Sequence, residues 1–584
     1  MNYPKIPLAQ QVIQLCVAKN VKHVVISPGS RNAPLTIGFS SHPSIKAYSI
    51  VDERCAAFFA LGMAQQLQKP VAVVCTSGSA LLNYYPAVAE AFYSEIPLIV
   101  ISADRPKHLI NIGDGQTIQQ ENVFGKHIIY SANLQQDLQE NNERYSDEKD
   151  IPAFVLDKLL NVLEKRLDSN QQKINEAINC AIAQRGPVHI NVPFAEPLYE
   201  TTVEFSEKID VIAPAKITDE IEQAAFENFV SVWKSAKRRM VLVGVHTPNA
   251  IEQRYLDFLG QDEATLVFTE STSNIHHPNF VSNIDKIVAP LDAEGFSALQ
   301  PEVLLTLGGL VVSKKIKAFL RTHSPKAHFH VGLNKALDTY FCLKHHFRVS
   351  ENMFFRALLN EKTQVESDYQ LQWLKVKKHR AKAHEAYLKT IPFTDFKVFQ
   401  IVLKSIPEMS VLHLSNSSTI RYVQLFNQKR SINQYCNRGT SGIDGSTSTA
   451  IGHAVHSKKQ NILITGDLSF FYDSNALWNN YITSNFKVIV VNNSGGGIFR
   501  ILPGQKHTEN FQTYFETTHH LTAVHLCNMY GFKYYRANNE KELTEGLNAF
   551  FTLDDKPGVL EVFTPREMND EVLLQYFVYL AENS

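Results

Sequence analysis

Two short apolar runs end in residues that can hold a cation. Asn461–Thr465 leads into Gly466-Asp467-Leu468-Ser469, and Lys487–Val491 leads into Asn492-Asn493-Ser494-Gly495, with 26 residues separating Asp467 from Asn493. A carboxylate and an amide oxygen at the ends of two strands are hard donors of the kind Mg²⁺ takes, together with phosphate oxygens and water. Open parallel sheets bind their ligands at that end. Gly466 permits close backbone approach, and a helix opening after Ser469 would turn its N–H groups toward a phosphate. A second candidate is Val51-Asp52-Glu53-Arg54, where a glutamate opens a helix after a strand. In a sheltered setting its carboxyl would suit proton transfer, although an acidic pair at a helix start also serves as an ordinary cap.

The elements that must place these residues alternate along the chain. Residues 8–19 have helical periodicity, Val24–Ile26 reads as a buried strand, and a helix is expected from Glu53 to about Leu67. Val71–Cys75 and Pro97–Ser102 read as strands flanking a helix over Ser79–Ser94, and Val188–Val192 closes the region. A second alternation has strands at Met240–Val245, Thr265–Thr269, Val303–Leu307 and Ala327–Val331. A charged stretch near 367–390 reads as a connecting helix. The third alternation has strands at Val411–Leu414, Asn461–Thr465, Lys487–Val491 and Gly558–Phe563. Apolar β-branched runs separated by helices predict an α/β protein of three doubly wound parallel-sheet domains. The expected boundaries are 1–195, 205–365 and 390–584. The polar stretch 135–175 is expected to be solvated helix and loop.

Composition narrows the function. The 584 residues carry 57 basic and 58 acidic side chains, a formal charge of −1, so no global bias points to nucleic acid or an anionic membrane. Seven scattered cysteines without a CxxC pair read as reduced thiols of a cytoplasmic protein. No apolar run approaches the length of a membrane span. The pairs His276-His277, His345-His346 and His519-His520 read as surface or packing positions rather than metal ligands.

GD at one strand end and NN at the next resemble the signature of thiamine-diphosphate enzymes, with Leu468 departing from the usual glycine. Five further segments tighten the resemblance: Ser27-Pro28-Gly29-Ser30-Arg31-Asn32-Ala33-Pro34-Leu35, Ser102-Ala103-Asp104-Arg105-Pro106, Gln116-Thr117-Ile118, the run from Tyr435 to Gly445, and Asn492 to Phe499. Together they resemble the 2-succinyl-5-enolpyruvyl-6-hydroxy-3-cyclohexene-1-carboxylate synthases of menaquinone biosynthesis, over about residues 8–565. That resemblance implies a carboligase that decarboxylates 2-oxoglutarate and transfers the succinyl unit to isochorismate, using thiamine diphosphate and Mg²⁺ or Mn²⁺. It implies that Glu53 faces the aminopyrimidine ring and that Ile443 bends the cofactor. Asn416, Gly466, Asp467, Leu468, Ser469 and Asn493 would bind the cofactor, with Asp467, Asn493 and Gly495 holding the metal. Ser30, Arg31, Arg105, Gln116, Lys314, Ser417, Arg421, Arg438 and Phe499 would face the substrates, both of which are dicarboxylates. Lys315 stands where the family often has arginine. The cofactor would lie between subunits of a homodimer or homotetramer. The alternatives are another thiamine-diphosphate decarboxylase, an acetolactate-synthase-like enzyme, or a catalytically silent binding protein of the same fold.

Overall fold

The computed structural model describes residues 2–137, 153–215, 219–501, 506, 508–552 and 555–583. Residues 138–152 of the polar stretch expected at 135–175 therefore lie outside the described residues, and Ala153–Gln184 forms one long helix. No described helix is long and apolar enough to cross a membrane.

Three parallel sheets carry the fold. The first has six strands, in spatial order Lys46–Ser49, His23–Ile26, Val71–Cys75, Leu98–Asp104, Val188–Pro193, Tyr130–Asn133. The central sheet has five: Thr265–Phe268, Arg239–Val243, Val303–Leu307, Ala327–Val331, Leu343–Phe347. The third has six: Asn433–Tyr435, Val411–Leu414, Asn461–Gly466, Phe486–Asn492, Gly558–Phe563, Lys533–Ala537. Numbered by chain position within each sheet, the first and third share the order 2-1-3-4-6-5. In all three the order reverses between the first and third strands, which opens a crevice at their carboxyl ends. The inner strands are buried on both faces, as their β-branched runs require.

The expected strands are all present, and the expected helix over Ser79–Ser94 is interrupted at Tyr84. The strands Lys46–Ser49, Tyr130–Asn133, Leu343–Phe347, Asn433–Tyr435 and Lys533–Ala537 were not expected; each is an edge strand, or nearly so, with polar or charged residues. Edges tolerate such residues because one side lacks a partner strand.

The chain divides into two compact units. One comprises Met1–Ile217 with Thr447–Ser457 and Asn475–Ile482; the other comprises Thr218–Ser446, Lys458–Ser474 and Thr483–Ser584. Two stretches of the third alternation thus pack with the first sheet. Within that unit the helix Glu53–Leu67 meets the helix Ser446–Ala454 backbone to backbone: a Cβ on Gly62 would come within 2.0 Å of the Thr449 carbonyl, and one on Gly452 within 2.0 Å of that of Phe59.

Candidate active site

In the first unit, Glu53 is the first residue of its helix and is partly buried. Asp52 caps the helix, accepting from the Cys55 N–H at 3.1 Å, and its other oxygen accepts from Asn475 Nδ2 at 2.8 Å. Burial raises the Cys75 thiol and the Tyr84 phenol, and the nearby Glu53 charge raises both further. Gly29 and Thr76 line the crevice at the carboxyl end of the sheet, so close together that a Cβ on Gly29 would fall 2.3 Å from that of Thr76.

Four expected substrate-side residues occupy the same rim. Ser30 and Gln116 are exposed, and Gln116 adopts φ 56 with its backbone against Gly78. Arg31 is 5% exposed; its Nη1 donates to the Phe194 carbonyl at 3.0 Å and its Nη2 pairs with Glu196 at 3.1 Å. Arg105 donates to the Gly115 carbonyl at 2.8 Å and lies 3.2 Å from Asp114. Both guanidiniums are therefore tethered. Sequence reasoning missed Gln120, whose buried amide accepts from Gly78 N–H at 2.9 Å and donates to Asn191 Oδ1 at 2.8 Å and to the Ala103 carbonyl at 3.1 Å. It ties the rim to the sheet, and only its place in a polar run hinted at it.

In the second unit the helix opens at Asp467 itself, ahead of the expected start after Ser469, and runs to Tyr472. Asp467 accepts from its neighbour Leu468 N–H at 2.7 Å and from Gly495 N–H at 2.9 Å. Asn493 donates through Nδ2 to Asp395 at 2.9 Å, while its Oδ1 is buried without a hydrogen-bond donor among the described residues. A Cβ added to Gly466 would meet no protein atom within 4 Å, so the backbone there faces open space. Ser469 Oγ donates to the Ile443 carbonyl at 2.6 Å, and the Ile443 side chain, 37% exposed, projects from its turn. An orphaned amide oxygen, a carboxylate and an open glycine fit a metal ion carrying a diphosphate. Of the positions expected for His519, surface or packing, it takes the packing one: partly buried, its Nε2 lies 3.2 Å from Asp467 Oδ2, because the turn after residue 516 folds back over the strand end.

Asn416 uses its whole amide within the protein. Its Nδ2 donates to the carbonyls of Asn437 and Gly442, both at 2.7 Å, and its Oδ1 accepts from Arg438 at 2.6 Å. It therefore shapes the segment carrying Arg438 and Ile443. Ser417 holds φ 70, a strained value for serine, at the start of the short helix Ser418–Val423 that carries Arg421. Burial lowers Arg421, and the neighbouring Arg438 charge lowers it further. Ser313 caps the helix Lys314–Thr322, accepting from Ile316 N–H at 3.1 Å, and leaves Lys314 and Lys315 exposed. Phe499 lies on the turn after the glycine run, edge-on to Phe515 at 6.1 Å.

Beside these cations lie two carboxyls absent from the sequence reading, Glu270 buried and Asp285 partly so. Glu270 accepts from the N–H groups of Val312 at 2.7 Å and Ser313 at 2.8 Å, and Asp285 accepts from Ser313 Oγ. Arg438 acts on Glu270, and Lys315 and Arg421 act on Asp285. Burial pushes Glu270 up to about 7, against the two N–H groups and Arg438. Its folded pKa exceeds the ordinary 4.5, so the folded chain binds the extra proton and stability falls as pH rises from about 4.5 to about 7. Urea unfolding of Glu270→Gln across that window is expected to show a shallower fall, by on the order of a few kcal/mol. A slope equal to the parent's would place the proton elsewhere.

Residues 6–128 match the model of the thiamine pyrophosphate enzyme N-terminal TPP binding domain, and residues 416–562 match the C-terminal TPP binding domain. The chain is 54% identical over 587 residues to the 2-succinyl-5-enolpyruvyl-6-hydroxy-3-cyclohexene-1-carboxylate synthase of Flavobacterium psychrophilum, covering 100% of both chains. It belongs to that synthase family. The synthase of Christiangramia forsetii is 54% identical over 590 residues (99% of this chain, 100% of the relative), and that of Porphyromonas gingivalis 36% over 586 residues (98% and 97%). The chain is accordingly a thiamine-diphosphate enzyme of the family that forms a carbon–carbon bond. Glu53 falls within the first of these matched domains and Asp467 within the second.

Proposed function

We propose that this enzyme decarboxylates 2-oxoglutarate and adds the succinyl unit to isochorismate, a step of menaquinone biosynthesis. The observation that carries this reading is the gathering of Lys315, Arg421 and Arg438 around Glu270 and Asp285 in one unit, in a chain matched end to end by synthases named for that product. Two dicarboxylates require several cations, and arginine receives a carboxylate through two parallel hydrogen bonds. Arg31 and Arg105, tethered at the first sheet's rim, supply fixed positive charge, while Ser30 and Gln116 offer neutral hydrogen bonds there. Phe499 gives an apolar wall. Bound thiamine diphosphate supplies the electron sink for decarboxylation. The protein contributes the Glu53 carboxyl against the aminopyrimidine, the Ile443 wedge, and Ser469 and Gly466 beside the diphosphate.

Mg²⁺, or Mn²⁺, would be held by Asp467, Asn493 Oδ1 and the Gly495 carbonyl. Asp395 fixes which end of the Asn493 amide faces the metal: it accepts Asn493 Nδ2 on one oxygen and the Thr564 hydroxyl, at 2.6 Å, on the other. Removing that partner frees the amide to turn. Asp395→Ala is expected to weaken Mn²⁺ binding roughly 10–100-fold, and Asp395→Asn less, as read by electron paramagnetic resonance of Mn²⁺ in the presence of thiamine diphosphate. Equal Mn²⁺ affinity in all three proteins would remove Asp395 from this role.

The family resemblance supports an assembly of at least two chains; sedimentation at micromolar concentration checks it. All seven cysteines are free thiols, which supports a cytoplasmic setting. The decisive assay is mass spectrometry of the product formed with thiamine diphosphate, Mg²⁺, 2-oxoglutarate and isochorismate. A succinylated cyclohexene requiring both substrates is the expected result. Release of CO₂ from pyruvate instead would discard the substrate assignment and keep the cofactor chemistry.

A further inference from the structure

A cavity of about 330 Å³ is bordered by the helix Ile284–Val288 beside the central sheet and the connecting helix Tyr369–Thr390. Lys286, Lys377, Lys378 and Arg380 line it, and no aspartate or glutamate does. None of the residues assigned above to cofactor, metal or substrate is part of its wall.

Two of these cations are deeply placed. Lys286 is 5% exposed and Arg380 4%. Arg380 Nε and Nη1 are buried and find no acceptor among the described residues. Lys377 is committed to the rim, donating to the carbonyls of Pro278 at 2.8 Å and Phe280 at 2.7 Å. Burial drives the Lys286 ammonium down to about 7, with Glu385 opposing the shift and Lys377 adding to it. Burying a cation is costly, and Glu385 offsets only part of that cost for Lys286. A buried guanidinium with free donors is also the side chain best shaped to receive a carboxylate or phosphate.

We propose that this cavity binds a small polyanion, one bearing two or more carboxylate or phosphate groups, on Arg380 and Lys286. It is a ligand site apart from the substrate-side arginines. Lys378, exposed at the mouth, draws the anion in.

The test is calorimetric titration of the full-length protein, loaded with thiamine diphosphate and Mg²⁺, at fixed ionic strength. Inorganic phosphate and tricarballylate are the two probes. One of them is expected to bind at one site per chain, and the preferred probe separates a phosphate ligand from a polycarboxylate. Arg380→Met and Lys286→Met should each weaken that binding at least tenfold, Lys378→Gln less, with thiamine diphosphate affinity unchanged. Both Met variants should melt no lower than the parent, because each removes a buried charge, which keeps loss of binding distinct from loss of folding. Undiminished binding in both Met variants would assign the anion to the substrate-side arginines or to an adventitious ion, and overturn the proposal. So would the absence of binding by either probe at millimolar concentration.

Discussion

A Glu53→Gln enzyme is expected to hold thiamine diphosphate with near-parental affinity and to turn over about 10³-fold more slowly. The side chain starts its helix with little freedom, because Asp52 caps that helix and is itself held by Asn475. Glutamine fills the same volume and keeps a hydrogen bond to the ring, so the cofactor still binds. It cannot take up or release a proton, the exchange with the aminopyrimidine proposed above for Glu53. The separation of effects is the diagnostic: cofactor binding followed by circular dichroism should be retained while product formation collapses. Parental turnover would strip Glu53 of this role, and loss of both would make it a structural residue.

The second large effect is on folding. Glu516 is buried and binds Arg500 through both carboxylate oxygens, Arg566 Nη1 at 3.0 Å, and, through its backbone carbonyl, the Gly496 N–H at 2.6 Å. Its hydrogen bonds to Arg500 are the main reason that guanidinium is held above its usual range. Glu516→Ala would leave Arg500, 4% exposed, without its anion. Stripping one partner from a buried pair costs about 3–5 kcal/mol. Urea unfolding should show a loss of that size, and Glu516→Ala should also weaken thiamine diphosphate binding, since the clasp holds the turn after Asn493. Replacing Glu516 and Arg500 together, by Leu and Met, should recover much of the stability. A single-substitution cost under about 1 kcal/mol would mean that solvent reaches the pair.

What the chain discloses to a reader of its sequence follows from the range of the forces involved. The inner strands and the Glu53 and Asp467 positions are local patterns: a buried run, a turn, a helix start. The strands Lys46–Ser49 and Asn433–Tyr435 are short and polar, so no periodicity announces them. Glu270, Asp395 and Glu516 are single acidic residues whose meaning comes from partners far along the chain. Asp395 meets Asn493 at a separation of 98 residues, and Glu270 meets Ser313 at 43. His519 was noticed, but not its partner, for the same reason: nothing around it in sequence indicates that its turn returns to Asp467. Asn416 was legible as a residue of importance, but the partners that occupy its amide were not.

The chain passes between the two units four times within residues 446–483. Asp467 lies on the middle one of the returning stretches, flanked by pieces that pack with Glu53's sheet. Cutting this protein into modules at a single point is therefore unlike cutting beads from a string. A fragment beginning at residue 390 would carry the helix Ser446–Ala454 with its two close backbone contacts stripped away. Evolution faces the same restriction: neither cofactor-binding half can be exchanged for a foreign one by a single crossover, so the two halves are inherited as one piece.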